Sequence, residues 1–149
     1  MELWELVART AARDLVDRYA VLADSGRFAE LLDLFAPDAV FEAESQRVEG
    51  RDALDAYFNR AKARLATETA TGLIRHHVTT HRVEVDGPDA ASGITYYFAI
   101  TELGPDHWGR YHDRYVRDPA TDRWVFASRV EKMYGTAPGS WAGATDASA

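Results

Sequence analysis

The chain has 149 residues, of which 46% are hydrophobic and 28% are charged, and this balance indicates one globular domain that can bury a core of its own. There is no cysteine, which excludes disulfides, thiolate metal ligands and cysteine nucleophiles. The formal net charge is −7, which argues against nucleic-acid binding because phosphates require a basic surface.

The first half of the chain predicts three helices and two short strands. Apolar residues recur at three- and four-residue spacing over residues 3–23, and Gly26 ends that helix. A short second helix begins at Arg27 and is broken by Pro37. The remaining elements of this half are a strand, a short return strand and a third helix, at residues 39–43, 46–49 and 52–65.

The second half predicts consecutive strands joined by short turns. The longest, residues 73–85, is rich in β-branched side chains and carries His76, His77 and His81. Short turns indicate antiparallel neighbours, so the order of elements predicts an α+β fold with helices on one face of a sheet. Turns rich in Gly, Pro and Asp separate three further strands, at residues 91–102, 108–116 and 123–134.

The end of the chain differs in composition from the rest. Residues 135–149 are mostly Gly, Ala, Ser and Thr, so we expect a domain over residues 1–134 followed by a flexible tail. Trp141 is the large apolar residue of this tail, and we expect it to pack on a partner. No apolar run approaches the ~18 residues of a membrane-spanning helix, and the N-terminal region lacks the apolar block of a signal peptide. We therefore expect a cytoplasmic protein that does not bind membranes.

Histidines on a long strand suggest a pocket for acid–base chemistry, because imidazole titrates near neutral pH. The alternative is that they are ordinary strand histidines on a half-buried surface. A second group, Asp106, His107, His112 and Asp113, has a metal-like composition, but adjacent strand residues such as His112 and Asp113 point to opposite faces. The zinc-protease, serine-hydrolase and phosphate-loop motifs are missing from the sequence, so we expect no metal and no cofactor.

Three stretches carry a resemblance to a known family. They are RYAVLADSGRFAELLDLFAPDAVFE, RHHVTTHRVEVDGPDA and WGRYHDRYVRDPATDRWVFASRV. Together they resemble the SnoaL-like branch of the NTF2-like superfamily over about residues 5–134. The resemblance implies a cone in which a curved antiparallel sheet packs on three helices, and a homodimer formed through the outer sheet face. The superfamily hosts enzymes and binding modules on one fold, so the fold alone does not name an activity.

The resemblance also implies a catalytic pair. In the scytalone dehydratase and dehydrochlorinase types, an Asp at the end of the first helix pairs with a His on the long strand, and Asp24 and His76 match these positions. Tyr19 matches a tyrosine of the bile acid dehydratase type. His77 adjoins His76, so a one-residue bulge would exchange the ring that faces the cavity. The alternative for Asp24 is a helix-end cap.

These residues predict a cofactor-free dehydratase or other lyase, an isomerase or a polyketide cyclase. Its substrate would be small, apolar and oxygenated, such as a polyketide- or steroid-like compound. The imidazole would abstract a proton next to a carbonyl or leaving group, and Tyr19 would donate to the developing oxyanion. The alternative is a non-catalytic module for small-molecule binding or dimerisation. The residues expected to contact the substrate are His77, Tyr57, Phe58, Tyr97, Tyr111, Trp124, Arg129 and Arg117, although either arginine could instead cover the sheet.

Overall fold

The computed structural model describes residues 1–143, which form three helices and six strands in the predicted order. The helices are α1 (Leu3–Asp24), α2 (Phe28–Leu32) and α3 (Arg51–Glu68). The strands are β1 (Phe35–Ala43), β2 (Gln46–Glu49), β3 (Ile74–Gly87), β4 (Ala90–Thr101), β5 (Gly104–Asp118) and β6 (Arg123–Thr136). None of the helices within this range is long and apolar enough to cross a membrane.

The six strands form one sheet in the order β2-β1-β6-β5-β4-β3, which confirms the predicted α+β class. Neighbouring strands are antiparallel except for β1 and β6, which run parallel. Short turns fix the direction of β3 to β6, but β1 is separated from β6 by most of the chain, so no turn constrains that pair. The sheet is therefore mixed, where the sequence predicted an antiparallel one.

Register shifts bend the sheet around the helices. They occur between Val78 and His81 in the β3–β4 pair, and again in the β4–β5 and β5–β6 pairs. Extra residues of this kind increase local twist and bend a strand. The Nη1 group of Arg13 on α1 donates to the main-chain oxygen of Thr79 over 3.2 Å, at the irregular part of β3. This contact ties the first helix to the edge strand.

Helix α1 packs over the hydrophobic core. Its buried positions follow the three- and four-residue spacing of one helix face, as the sequence predicted. This face packs against rings from the sheet, among them Phe35, Phe126 and Tyr115, which are fully buried. Each large apolar side chain buried in this way contributes ~1.5–3 kcal/mol to stability.

The C-terminal segment packs on its own chain. Strand β6 continues through Thr136, two residues beyond the predicted end of the strand at Tyr134. Trp141 was expected to contact a partner, but its ring lies 5.1 Å from the Arg64 guanidinium and joins a small cluster with Leu65 and Ile74. Residues 144–149 of the predicted tail lie outside the described residues.

Candidate active site

A cavity of about 230 Å³ lies between the helices and the concave face of the sheet. Its walls come from the end of α1, from α3, from β3, β5 and β6, and from the C-terminal segment. The lining includes the aromatic rings of Tyr19, Phe41, Tyr57, Phe58, Tyr111 and Trp141. Three of these, Tyr57, Phe58 and Tyr111, were predicted to contact substrate.

Asp24 lies where α1 ends. Gly26 takes a φ of +67°, a conformation that glycine adopts without strain, and the chain turns back so that Arg27 N–H donates to the Leu22 oxygen over 3.0 Å. This turn leaves the Asp24 side chain facing the start of β3. The carboxylate is 7% exposed, so it is nearly removed from water.

The structure brings Asp24 and His76 together. The Oδ1 atom of Asp24 lies 2.6 Å from Nδ1 of His76, and Oδ2 accepts from the His76 backbone N–H over 2.7 Å. Strand β3 is at the edge of the sheet, so this N–H needs an acceptor from outside the sheet. One carboxylate therefore fixes both the main chain and the ring of His76.

The pairing determines which nitrogen of His76 is basic. An ionised carboxylate only accepts hydrogen bonds, so Nδ1 carries the proton that is shared with Asp24. The Nε2 atom is then left unprotonated, in a ring whose side chain is 20% exposed and lines the cavity. Such a nitrogen can take a proton from a bound molecule.

Tyr19 lies in the same wall, five residues before Asp24 on α1. Its ring makes edge contacts with Phe58 and Tyr111 at centroid distances of 6.1 and 5.9 Å. Burial raises the pKa of Tyr19 well above its ordinary value, so the side chain stays a phenol. It can therefore donate a hydrogen bond throughout the neutral range.

A second imidazole–carboxylate pair faces the first. His107 Nδ1 lies 2.7 Å from Asp106 Oδ2, and the His107 ring lies 5.7 Å from the His76 ring. The Ser140 hydroxyl donates to the same Asp106 oxygen over 2.7 Å, so the C-terminal segment helps to hold this pair. From the sequence, His107 was considered only as a metal ligand, and the strand was predicted to begin at Trp108, whereas β5 already begins at Gly104.

Glu131 is a further polar residue of the cavity that the sequence analysis did not single out. It lines the wall from β6, and the hydroxyl of Tyr97 donates to its Oε1 atom. The Tyr97 ring lies 6.0 Å from the His76 ring. The sequence could have indicated Glu131, because alternate residues of a strand lie on the same face and Glu131 therefore shares a face with Arg129.

Five of the predicted substrate contacts are not part of the lining of this cavity: His77, Tyr97, Trp124, Arg117 and Arg129. The His77 ring stacks on Phe98 at 5.0 Å on the opposite face of the sheet, so β3 presents His76 and not His77 to the cavity. Trp124 lines a different cavity, beside the turn between β5 and β6. Arg117 lies on the surface, where its Nη2 is 2.7 Å from Asp122.

Arg129 is close to the cavity but is not part of its lining. Its side chain is fully buried, and Nε and Nη2 each donate to Asp113 over 2.8 Å. Burial would lower the pKa of Arg129, but Asp113 raises it by more, so the guanidinium stays charged. The guanidinium carbon lies 4.2 Å from the Tyr19 ring and 4.0 Å from the Tyr111 ring. The guanidinium is therefore paired with Asp113 inside the protein and packs against two rings of the cavity wall.

No group of three or more His, Asp or Glu side chains in residues 1–143 is arranged to hold a metal ion. The polar groups of the cavity are instead two imidazole–carboxylate pairs, phenols and carboxylates. This set can accept and donate protons within an apolar enclosure.

Comparisons with known proteins agree with the fold. A family model described as a SnoaL-like domain matches residues 4–130. A search of curated proteins found no match. A scytalone dehydratase-like protein from Novosphingobium aromaticivorans DSM 12444 is 22% identical, with a TM-score of 0.76 and coverage of 92% of this chain and 91% of that one.

Two further solved structures are similar. Hexachlorocyclohexane dehydrochlorinase LinA-type3 from Novosphingobium barchaimii LL02 is 21% identical, with a TM-score of 0.76, and the match covers 93% of this chain and 94% of that one. A protein of unknown function from Mycobacterium tuberculosis is 26% identical, with a TM-score of 0.73 and coverage of 86% and 77%. At such identities these likenesses establish the fold, as the sequence resemblance predicted.

Proposed function

We propose that this chain, which belongs to the SnoaL-like domain family, is a cofactor-free acid–base enzyme that removes a proton from a small, mostly apolar, oxygenated substrate. The observation that carries the proposal is the 2.6 Å contact between Asp24 and His76 in the wall of an aromatic cavity. A helix-end cap alone would not require the carboxylate to hold an imidazole ring with its free nitrogen towards a cavity.

In this proposal, His76 Nε2 takes a proton from a carbon next to a carbonyl or leaving group. Asp24 stabilises the imidazolium that forms, and its attraction is stronger in the apolar cavity than in water. Proton transfer of this kind typically contributes ~10²–10⁴-fold to a rate. Loss of water, or ring closure through the resulting enolate, completes the reaction.

Two donors are available for the oxygen that gains charge or leaves. Tyr19 donates from its phenol to a developing oxyanion. His107, in its imidazolium form, donates from Nε2 to a departing hydroxyl, and Asp106 stabilises that charge before transfer. In a dehydration, His76 gains one proton and His107 loses one, and exchange with solvent restores both. Two similar structures bear the names of a dehydratase and a dehydrochlorinase, which both denote eliminations.

The cavity favours a small substrate. Its volume of about 230 Å³ lies below the ~300–1,000 Å³ typical of pockets for drug-sized ligands. A compound with one or two rings fits this volume better than a four-ring steroid. Within the predicted range of polyketide- and steroid-like compounds, we propose the smaller members.

The outer face of the sheet supports a homodimer. Tyr96 is 49% exposed and Phe98 37% exposed on neighbouring outward positions of β4, and Trp108 of β5 lies opposite Phe98. Exposed aromatic side chains grouped in this way often mark a protein interface. Sedimentation analysis of Phe98→Lys tests the proposal, which predicts dissociation of a wild-type dimer into monomers.

A deuterium-exchange assay tests the catalytic proposal. Bicyclic ketones with a hydroxyl β to the carbonyl are incubated with the protein in D₂O, and NMR follows deuterium incorporation and loss of water. We expect turnover in the wild type and a ~10²–10⁴-fold reduction in His76→Gln and Asp24→Asn. His77→Gln, a change of the adjacent ring on the other sheet face, is the matched control and should keep full activity.

The same assay separates the catalytic role from the alternative of a binding module. Compounds that raise the melting temperature of the wild type but are never exchanged or dehydrated would support binding without catalysis. Equal turnover in the wild type, Asp24→Asn and His76→Gln would also contradict the proposal.

A further inference from the structure

We infer that Glu131 makes the inner end of the cavity selective for ligands that carry a hydrogen-bond donor, a hydroxyl or an ammonium group, and excludes carboxylates. The inference rests on the proposed function only in that the cavity is the place where substrate binds. It adds a recognition site for the part of the ligand that does not react.

The register of the sheet places Glu131 away from the reacting histidines. Glu131 lies opposite Tyr111 in the β5–β6 pair, whereas His107 lies opposite Thr136. Four residues of β5 separate the two levels, which corresponds to about 13 Å at ~3.3 Å per residue. The next inward pair along the strands is Asp113 and Arg129, which closes this end of the interior. The Tyr97 side chain spans part of this separation, because its hydroxyl donates to Glu131 and its ring lies 6.0 Å from the His76 ring, so one ligand can contact both groups.

The side chain that contacts Glu131 is a phenol and not a basic group. Within residues 1–143, Glu131 forms no ion pair, and its polar contact is the hydroxyl of Tyr97. Four phenols experience its negative charge: burial is the main cause of their raised pKa values, and Glu131 raises each further. They are Tyr19, Tyr57, Tyr97 and Tyr111. The carboxylate therefore acts on four phenols that stay protonated, and it contacts the hydroxyl of one of them, Tyr97.

The basic side chain of the cavity wall forms no ion pair with Glu131 within residues 1–143. Lys62 belongs to α3, and its ammonium lies 5.7 Å from the Phe28 ring, beside the turn that follows Asp24. Arg129 is nearer in the fold, but Asp113 occupies two of its nitrogen atoms. A ligand that enters the inner end thus meets a carboxylate that has no ion-pair partner among residues 1–143.

This arrangement determines which ligand groups bind. A carboxylate side chain only accepts hydrogen bonds, and Tyr97 uses one of its two oxygens, so the other can accept from the ligand. A half-buried charge is costly without a partner, and a donor from the ligand offsets that cost. An ammonium group adds attraction to the faces of the tyrosine rings, whereas a ligand carboxylate is repelled.

Three probes with one ring system test the inference: 2-naphthol, 2-naphthylmethylamine and 2-naphthoate. Dissociation constants are measured by NMR titration against the wild type and Glu131→Gln. We expect the wild type to bind the amine and the naphthol at least about tenfold more tightly than the naphthoate, the difference typical of a charge-assisted hydrogen bond. In Glu131→Gln, the amine should weaken by about tenfold and the naphthoate should tighten, because an amide both donates and accepts.

The comparison between amine and naphthol distinguishes a charged donor from a neutral one, because in Glu131→Gln the amine loses its partner of opposite charge and the neutral naphthol does not. Glu84→Gln, which makes the same change of charge at an exposed position of β3, is the matched control and should leave all three constants unchanged. An unchanged order of affinities in Glu131→Gln would overturn this inference while leaving the proposed function intact. Failure of all three probes to bind the wild type would overturn this inference, whereas the deuterium-exchange assay decides the proposed function separately.

Discussion

Replacement of Asp113 by asparagine tests whether Arg129 is a structural cation and not a substrate-binding one. Both side chains are fully buried, and two hydrogen bonds of 2.8 Å join them. Tyr115 also donates to Asp113 over 3.0 Å. The asparagine keeps the size of the side chain and one acceptor, but leaves the guanidinium without its counter-charge.

The expected loss is large for a domain of this size. Removing one partner of a buried ion pair costs ~3–5 kcal/mol, because the remaining charge is uncompensated. Domains of this kind have a free energy of unfolding of ~5–15 kcal/mol, so Asp113→Asn should remain folded but be much weakened. Replacing Arg129 by methionine should cost a similar amount, since it leaves Asp113 alone.

Urea unfolding, followed by tryptophan fluorescence, measures these changes. The double variant Asp113→Asn/Arg129→Met should lose less than the sum of the single losses, by ~0.5–3 kcal/mol, because the two side chains contact each other. A loss below about 1 kcal/mol in Asp113→Asn would refute the reasoning. That result is expected only if Arg129 can reach water or a ligand in the cavity.

Three further predictions concern pH and the C-terminal segment. Burial, reinforced by Arg13, lowers the pKa of His81 below 6.5, so the unfolded chain binds a proton first and stability falls as pH drops below about 6.5. Urea titrations between about pH 5 and 7 should show a shallower fall in His81→Gln, and an unchanged slope would contradict this. Because burial raises the pKa of the phenols in the folded protein, the tyrosines of the unfolded chain ionise first, and stability falls as pH rises above about 10. An absorbance scan should show phenolate appearing only when the protein unfolds. Ionisation of these tyrosines in the folded protein would argue against their burial. The phenols concerned are Tyr19, Tyr57, Tyr97, Tyr111 and Tyr115. Ser140→Ala removes a hydrogen bond to Asp106, which typically contributes ~0.5–1.5 kcal/mol. The variant should show more acrylamide quenching of Trp141 than the control Ser128→Ala. Equal quenching in the two variants would contradict a role of Ser140 in holding the C-terminal segment.

Local patterns were sufficient to predict the elements. The apolar spacing of α1 and the glycine after it located the helix and its end, and the resemblance assigned a role to Asp24. Turn residues separated the last four strands. The parallel pairing of β1 with β6 depends on contacts across the whole chain, so no local pattern contained it.

The composition of the site was predicted less completely. Alternation along β3 indicated that His76 and His77 face opposite sides, but the packing of α1 decides which side is inside. Arg129 was predicted to contact the substrate or to cover the sheet, but it pairs with Asp113 of another strand, and only the register of β5 with β6 brings the two together. His107 was missed as a cavity residue because the sequence placed the start of β5 four residues too late.

The proposed mechanism depends most directly on which nitrogen of the His76 ring is protonated. A long-range ¹H–¹⁵N NMR spectrum of the His76 imidazole, recorded for the neutral ring in the wild type and in Asp24→Asn, shows which nitrogen carries the proton. We predict protonation at Nδ1 and a free Nε2 in the wild type, with loss of that preference in Asp24→Asn. A wild-type ring protonated mainly at Nε2 would contradict this mechanism, because the nitrogen that Asp24 does not contact would then have no lone pair with which to accept a proton.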